Sequence, residues 1–417
     1  MTVSLGVLTA SQDRAAHTPS DRFLIVVSQL VCLLAFLLCG SRIEVDAVCA
    51  RKLTTSASTE LAGYTDSTQV HVASPTVAAS VTDAESGVSI SGRYLVDVVS
   101  AASVDIVSTA SPRWDEVRHV GSLEASYQRG PLSVSGSAGV SREPDYLSLS
   151  AGAAASLDLL EKNLTPFVGF RYGHDDVGVK GRPRADWELL QKGGLQLGAT
   201  FVVNHFMIAS VQLDADFERG YLAKPYRYIP LFAPGTGVDV SVGAEPSEVH
   251  AKRLPERPIE RLPSERNRYA VTGRIAARRG PVTIRIDERL YTDSWGVSAT
   301  TTDARVMIDL GSRVMIWPHL RLHVQSGASF WQRAYELLQT ETGEWTIPRY
   351  RTGDRELSKL STYTGGLGGK FRLTDQADSA WHITYQLEAG YTQFFDALYI
   401  KSRWSVLSVL GITAQWN

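Results

Sequence analysis

Alternation between apolar and polar residues is the clearest pattern along this chain. In the segment Val282–Tyr291, apolar residues occupy almost every second position, and polar or charged residues stand between them. A period of two predicts an extended strand, because successive side chains of a strand point to opposite faces, whereas a helix would distribute them around its axis. The apolar face comprises Val282, Ile284, Ile286 and Leu290, and the polar face comprises Thr283, Arg285, Asp287, Arg289 and Tyr291.

The two C-terminal segments add aromatic residues at both ends of the apolar face. Trp404 and Trp416 lie twelve positions apart on one such face, and Trp381 and Tyr391 lie ten apart on the preceding one. A tilted strand crosses a bilayer in about 9–11 residues, and aromatic girdles mark both interfaces. We therefore predict that these four residues lie at membrane interfaces. An aromatic residue near the C-terminus also resembles the insertion signal of bacterial barrels, which makes the barrel-assembly machinery an expected partner, although Asn417 is terminal here.

The connections between the predicted strands alternate between short and long. Short links fall near 83–87, 128–131, 161–166, 204–205, 278–281, 311–313 and 374–380. Longer links fall near 100–114, 174–190, 220–266 and 334–358. Short periplasmic turns alternate with longer outer loops in outer-membrane barrels. With Thr54–Tyr64 as the first strand, the predicted fold is an all-β, antiparallel transmembrane β-barrel of about 16 strands, with both chain ends in the periplasm.

The N-terminal region differs from the rest of the chain. The segment Arg22–Gly40 is a basic residue followed by an apolar run, which is typical of a secretory signal peptide; a transmembrane anchor is the competing interpretation. All three cysteines lie in this region: Cys32, Cys39 and Cys49. A body without cysteine suits a chain that crosses an oxidising compartment. We predict a signal peptide at 1–50, cleaved near 39–41 or 48–50, and a barrel at 51–417.

A soluble β-sandwich or a propeller would show similar alternation, because its apolar face packs in a core and its polar face meets water. Several features together favour a barrel in the bacterial outer membrane, in contact with its lipid. These are the signal peptide, the cysteine-free body, the strand-length periodicity and the aromatic residues at segment ends.

Two features of the sequence are hard to reconcile with a regular barrel. Pro75 falls inside a predicted strand, and a closed barrel has no edge strand to tolerate its missing N–H; either regular pairing begins after it or a bulge lies there. The link at 220–266 holds seven of the seventeen prolines, and its later part is charged. We expect this Pro-rich outer loop to be mobile or to lie on the surface rather than to fold into the pore.

The sequence gives little indication of an enzyme, a metal site or a nucleic-acid interface. Its formal net charge is −2, and no basic run is interleaved with aromatic residues. It lacks the G-x-S-x-G and H-E-x-x-H motifs. The segment Thr364–Phe371 resembles a phosphate loop only superficially, and we interpret it as a glycine-rich strand that allows close packing or curvature. Gly173–Gly178 could bind a divalent cation, but we prefer a solvated outer loop, and we interpret Glu143–Tyr146 as a turn that fixes strand register. We expect no catalytic residue, metal or cofactor.

Several segments resemble a known bacterial outer-membrane family. They are Gly63–Val81, Gly92–Ser111 and Arg142–Gly152, of which Tyr94–Ser103 with Asp105 and Glu143–Tyr146 are the most specific. Over most of its length after about Leu61, the chain is similar to the family named domain of unknown function 3570. The resemblance implies a porin-like barrel and brings no established activity.

Charged residues on the polar faces are the best functional clue. Acidic residues precede the long loop and basic residues follow it, so that neighbouring strips of the wall would carry opposite charge. In a wet lumen such strips select and orient solutes, and about 16 strands leave room for water unless loops plug the barrel. The predicted pore-lining residues are Asp214, Asp216, Glu218, Arg274, Arg278, Arg285, Asp287, Arg289, Arg321 and His323.

We therefore expect a porin-like channel for small solutes across the outer membrane. The arginines on its wall would raise the local concentration of anions within about a Debye length, ~10 Å at 0.1 M salt. Alternatively, the charges pair with one another in a filled or plugged barrel. The chain would then be a non-conducting scaffold, or an export partner for surface or periplasmic proteins.

Overall fold

A computed structural model describes residues 53–101, 114–376 and 379–416. The predicted signal peptide, and Ser103 and Asp105 of the family resemblance, lie outside these ranges. Sixteen described strands pair into one closed antiparallel barrel. They are β1 (Leu53–Asp66), β2 (Val70–Asp83), β3 (Val88–Ala101), β4 (Trp114–Arg129), β5 (Leu132–Arg142), β6 (Tyr146–Leu157), β7 (Leu164–Val177), β8 (Glu188–Asn204), β9 (Met207–Gly220), β10 (Glu265–Arg279), β11 (Val282–Asp293), β12 (Ser298–Leu310), β13 (Val314–Gln325), β14 (Leu360–Gln376), β15 (Ser379–Phe394) and β16 (Ser402–Trp416).

The barrel closes because its first and last strands pair with each other. Each strand pairs with its neighbour in the barrel sequence, and β1 pairs with β16 from Thr55 opposite Trp416 to Asp66 opposite Ser405. Closure leaves no strand edge free to pair with another chain. The predicted strand count is confirmed, and the predicted first strand at 54–64 lies within β1.

Side chains alternate between an outer apolar face and an inner polar face. On β11, Ile284, Ile286 and Leu290 are exposed on the outer face, and Arg285 and Asp287 lie between them on the inner face. This arrangement suits a transmembrane barrel, whose outer face is apolar and whose inner face is polar. The alternation predicted for this segment is therefore confirmed.

Glu288 is an exception to the apolar outer face. It lies on β11 between Ile286 and Leu290, where its carboxylate accepts hydrogen bonds of 2.5 Å from the hydroxyls of Thr300 and Thr302 on β12. Facing a carboxylate toward lipid is costly, because the group loses the water that would solvate it. The two hydroxyl donors replace part of that solvation.

The two ends of the barrel differ in the length of their links. At the turn end, links of two to six residues join the strands. At the opposite end, which we call the loop end, the links include 221–264 and 326–359. The predicted alternation of short and long links is confirmed there, but three loop-end links are also short, at 67–69, 143–145 and 294–297.

Pro75 lies inside β2, within regular pairing. It stands opposite Leu61 in an unbroken ladder with β1. The ladder with β3 lapses at Ser74 and Pro75 and then resumes in the same register, so this described part of the ladder holds no bulge. Both predicted solutions are therefore wrong. The missing N–H is tolerated because two ladder positions are omitted, and the Ser74 hydroxyl donates instead to Asp97 of β3 at 2.5 Å.

The long links of the loop end fold together into a cap. The cap comprises residues 221–264, 326–359 and 395–401 and contains one short helix, α1 (Pro246–Lys252). Apolar residues from different links share buried clusters, such as Phe232, Val249 and Leu398. The loop is folded rather than mobile, because its apolar residues pack against links remote in sequence. Its position on the surface rather than in the pore remains a prediction. In the described ranges, no helix has the length and apolar character needed to cross a membrane.

Candidate functional site in the barrel lumen

The predicted pore-lining residues all lie on the inner face of the barrel. They belong to β9, β10, β11 and β13, at ladder positions whose neighbours also point inward. The inner faces of β7–β13, which we call the charged wall, carry most of the inward ion pairs of the described strands. A role of these residues in lining a water-filled pore remains a prediction.

The arginines predicted to form a positive strip are each paired with a carboxylate. Arg274 on β10 contacts Asp287 on β11 at 2.8 Å, and Arg285 contacts the same carboxylate at 2.5 Å. Arg289 on β11 passes over β10 and contacts Asp214 on β9 at 3.0 Å. The strands that flank the long loop are therefore adjacent, as expected, and their opposite charges compensate each other.

The other predicted residues divide between paired and unpaired side chains. Three further pairs are Arg278 with Asp309 at 2.6 Å, Arg171 with Asp216 at 2.6 Å, and Arg268 with Glu218. The side chain of Arg321 makes no ion pair or hydrogen bond with another residue that the structure describes. His323 contacts the Thr301 hydroxyl at 2.7 Å. Sequence reasoning missed Arg171, Arg268 and Asp309, although the alternation of their own strands could have found them.

A small residue on the middle strand allows a pair to form across two strands. Gly194 of β8 lies between Arg171 on β7 and Asp216 on β9. A Cβ atom at this position would stand 2.4 Å from Arg171 Nε and 2.7 Å from Asp216 Oδ1. Such approaches are too short for a carbon atom, so the pair in this geometry requires glycine.

His319 of β13 lies on the inner face between two carboxylates. Its Nε2 is 2.8 Å from Asp303 on β12, and its Nδ1 is 2.9 Å from Glu388 on β15. The second contact passes over β14 at Gly366, where a Cβ would stand 2.8 Å from Glu388 Cγ. Gly366 belongs to the segment Thr364–Phe371, whose interpretation as a glycine-rich strand is confirmed. His319 and its two partners are not among the predicted pore-lining residues.

Small hydroxyl residues line the opposite side of the lumen. We call the inner faces of β1–β6 the serine wall. Its serines are Ser56, Ser58, Ser74, Ser80, Ser89, Ser91, Ser122, Ser126, Ser133, Ser135, Ser137, Ser141, Ser148, Ser150 and Ser156. Some hydroxyls bond one another, as Ser56 and Ser80 do at 2.7 Å. Short side chains leave more of the lumen unfilled on this side than on the charged wall.

Two short motifs occupy strand ends and links near the loop end. The prediction of a solvated outer loop at Gly173–Gly178 is wrong, because residues 173–177 complete β7. Asp175 of this motif is fully buried and contacts Lys192 of β8 at 2.5 Å. Glu143–Tyr146 spans the link from β5 into β6, as expected for a turn.

The cap contacts the barrel at this same link. Tyr226 of the cap donates a hydrogen bond to Asp145, and the backbone N–H of Lys180 donates to the Tyr226 hydroxyl at 2.6 Å. Burial and the bond to Asp145 raise the pKa of Tyr226 to about 12, so the phenol stays protonated at neutral pH. Oxygens of Glu116, Glu143 and Asp145 lie within 4.8 Å of one another beside it. We assign no ion to this acidic cluster, because acidic groups gather in this way without a metal.

A buried carboxylate joins the links of the cap. Glu260 accepts hydrogen bonds from Arg227 at 3.0 Å, from the Thr352 hydroxyl at 2.6 Å and from the backbone N–H of Lys224 at 2.8 Å. Arg227 also contacts Asp354 at 3.2 Å. Burial alone would raise the pKa of Asp354, but the nearby guanidinium of Arg227 and a backbone N–H hold that pKa below its usual value. Asp354 is therefore charged at neutral pH, and the Arg227 guanidinium lies within ion-pair distance of both carboxylates.

The predicted interface aromatics form two pairs on the outer face. Trp381 and Trp416 meet near the turn end with ring centroids 5.9 Å apart. Tyr391 and Trp404 meet near the loop end at 4.7 Å. These four rings bracket the apolar part of β15 and β16, as a transmembrane segment requires. Their contact with the membrane interfaces remains a prediction.

Several solved structures of outer-membrane proteins are similar to this chain at low sequence identity. The siderophore receptor PirA from Pseudomonas aeruginosa is 13% identical, with a TM-score of 0.39 over 87% of this chain and 61% of the receptor. The outer membrane protein OpdK from the same organism is 7% identical, with a TM-score of 0.39 over 87% and 99% of the two chains. A bacterial polysaccharide outer membrane secretin is 6% identical, with a TM-score of 0.43 over 88% and 98%. Likeness at this level carries no argument about activity.

Sequence comparison places the chain in a family. The chain spans about 61% of the length of the PirA receptor, and no curated protein sequence matches it. Residues 40–193 and 186–397 match the family described as protein of unknown function DUF3570. The resemblance seen in the sequence is thus confirmed, and the closed barrel of sixteen strands agrees with the architecture that it implied. The chain therefore belongs to the DUF3570 family.

Proposed function

We propose that this protein is a water-filled channel for small solutes across the bacterial outer membrane. The closed barrel and its apolar outer face, bracketed by aromatic pairs, suit a chain that spans this membrane. The polar inner face suits a lumen that holds water. In such a channel the charged and hydroxyl residues of the inner face stay hydrated, and no chemical step is required.

The solvent exposure of the paired arginine side chains is the main observation that supports a channel. Although each is engaged with a carboxylate, the side chains of Arg171, Arg278 and Arg289 remain 54%, 55% and 41% exposed. In a barrel packed full of side chains they would be buried. Barrels of about 16 to 18 strands are wide enough to keep an aqueous channel unless loops or a plug occupy it.

Planar bilayer recording with the purified full chain tests this function. We expect stepwise conductance increases in KCl when the protein is added, and none with detergent alone. A barrel that inserts into the bilayer, as shown by protease protection of its strands, but conducts neither as wild type nor as Arg227→Ala would contradict the channel.

The cap supports a second candidate, a non-conducting scaffold or export partner. The link between β9 and β10 bonds the β5–β6 link through Tyr226 and packs with the β15–β16 link through Phe232 and Leu398, so the cap joins distant parts of the rim. The variant Arg227→Ala, which leaves Glu260 uncompensated within the cap, separates the two candidates. A channel gated by the cap should conduct more often in this variant, whereas a scaffold should remain silent in both proteins.

A further inference from the structure

The fixed charges inside the barrel largely cancel. On the charged wall, basic side chains and carboxylates meet at salt-bridge distance on the same or neighbouring strands or across one strand. The pairs are Arg171–Asp216, Lys192–Asp175, Arg268–Glu218, Arg274–Asp287, Arg285–Asp287, Arg278–Asp309, Arg289–Asp214 and Arg305–Asp303. The field of a close pair of opposite charges falls with distance faster than that of a single charge. In a salt solution such a wall contributes little net potential to the middle of the lumen.

The inward charges that lack such a partner are of both signs. Glu60 and Glu124 on the serine wall form no ion pair with another described residue, and neither do Arg93, Arg321 and Lys370. Their opposite signs leave no strong excess of either charge. The expectation of an anion-selective wall therefore loses its basis, because it treated the arginines as uncompensated.

The serine wall can form hydrogen bonds with uncharged solutes. A serine hydroxyl donates one hydrogen bond and accepts two. It can therefore form hydrogen bonds with the hydroxyl groups of a solute, and no charged group is left without a partner. Serines occur on all six strands of this wall, for example Ser91 on β3, Ser135 on β5 and Ser150 on β6. An ion gains little from this surface, whereas a solute rich in hydroxyl groups can replace the water that it loses.

We infer that the solute is uncharged and rich in hydroxyl groups, such as a polyol or a small saccharide. This inference rests on the proposed channel function and adds the class of solute. The serine wall supplies the hydrogen bonds, and the compensated charged wall keeps the lumen polar without attracting either ion.

The first test measures the reversal potential of the full chain in a KCl gradient. The wild-type value should lie near zero. Asp287→Asn releases Arg274 and Arg285 from their shared carboxylate and should shift selectivity toward anions. Arg289→Gln releases Asp214 and should shift it toward cations. Thr362→Ser on the inner face of β14 is the control and should cause no shift.

The second test follows the swelling of liposomes that contain the protein. A neutral hexose should enter faster than its uronate of nearly equal size. Replacing Ser133, Ser135 and Ser137 together by Ala should slow entry of the hexose by ~5-fold, the equivalent of about one net hydrogen bond, and leave the reversal potential unchanged.

The outcomes distinguish a wrong class of solute from a wrong assignment of channel function. A conducting wild-type barrel with strong selectivity for either ion, or with faster entry of the uronate, overturns the neutral solute while the channel stands. Hexose entry that is unaffected by the three Ser→Ala changes also overturns it. An inserted protein with no conductance and no swelling, both as wild type and as Arg227→Ala, overturns the channel itself.

Discussion

At the scale of single residues, the absence of a side chain at Gly194 decides which charges meet on the charged wall. Arg171 and Asp216 reach each other over β8 only because no Cβ stands between them. Their ion pair is solvent-exposed and contributes little by itself, typically about 0–1 kcal/mol. The cost of a larger residue would come mainly from steric overlap, which displaces both charged groups.

A substitution at Gly194 tests this steric account. Gly194→Val should destabilise the barrel by about 1–3 kcal/mol, the usual cost of overpacking. Gly193→Val is a matched control, because a Cβ at the neighbouring glycine meets nothing within 4 Å. The measurement is the urea midpoint of each variant in lipid vesicles. Equal midpoints for the two variants would show that the lumen beside Gly194 is not as tight as described.

The direction of a side chain could be predicted from sequence, but its partner could not. The period of two placed Asp214, Arg274 and Arg289 on the inner face, because facing depends only on neighbours in the chain. The contact between Arg289 and Asp214 depends on the register of three strands, and one of the two connections between them is the 221–264 link. The partners of Glu288 could not be predicted for a related reason, because both hydroxyl donors lie on the next strand.

At the scale of elements, the cap is a small folded unit with its own buried charge. Glu260 has no exposed side-chain surface and joins residues of the 221–264 and 326–359 links. Removing one member of a buried pair is more costly than removing both, because the remaining charge has lost its water. Arg227 is therefore the residue on which the cap most directly depends.

Exchange of backbone amides should report the loss of this residue. Arg227→Ala should destabilise the cap by about 3–5 kcal/mol, the usual cost of leaving a buried charge uncompensated. Hydrogen–deuterium exchange should accelerate within 221–264 and 326–359 and remain slow in β1–β16. Arg349→Ala is the control, since this exposed cap arginine lies over the Tyr350 ring and should be nearly neutral. The combined change Arg227→Met with Glu260→Gln should restore part of the protection. Faster exchange throughout the barrel would contradict an independent cap.

Strands were easier to predict than the cap for a physical reason. Each strand is recognisable from local alternation and from the turn residues beside it, so the sixteen strands and their order followed from the sequence. The cap is built from apolar residues such as Phe232 and Leu398, which are far apart in sequence and show no common period. A proline-rich, charged composition suggested mobility there, but tertiary packing of these few residues prevailed.

At the scale of the whole molecule, the two different walls of the lumen depend on the closure of the barrel. The serine wall and the charged wall face each other only because the sheet returns on itself between β1 and β16. A flat sheet of the same strands would expose both walls to bulk water and leave two unpaired edges.

A closed transmembrane barrel should keep its structure in detergent until it is heated. We expect the unheated protein to migrate faster than the boiled protein on a gel with sodium dodecyl sulfate, because the folded barrel is compact. Fractionation of cells should recover it with the outer membrane. Recovery as a soluble periplasmic protein with a single gel mobility would instead indicate that the apolar faces pack in a core.

The contact of Thr55 with Trp416 also determines the order in which this chain can fold. The ladder between β1 and β16 joins the two ends of the described chain, so its loop-closure entropy is large and its contribution to contact order is among the highest that the chain permits. A hairpin such as β4–β5 can form as soon as it is available, but the seam between β1 and β16 can form only after the last strand has arrived. Until then two strand edges are open, and aggregation competes with folding during that interval.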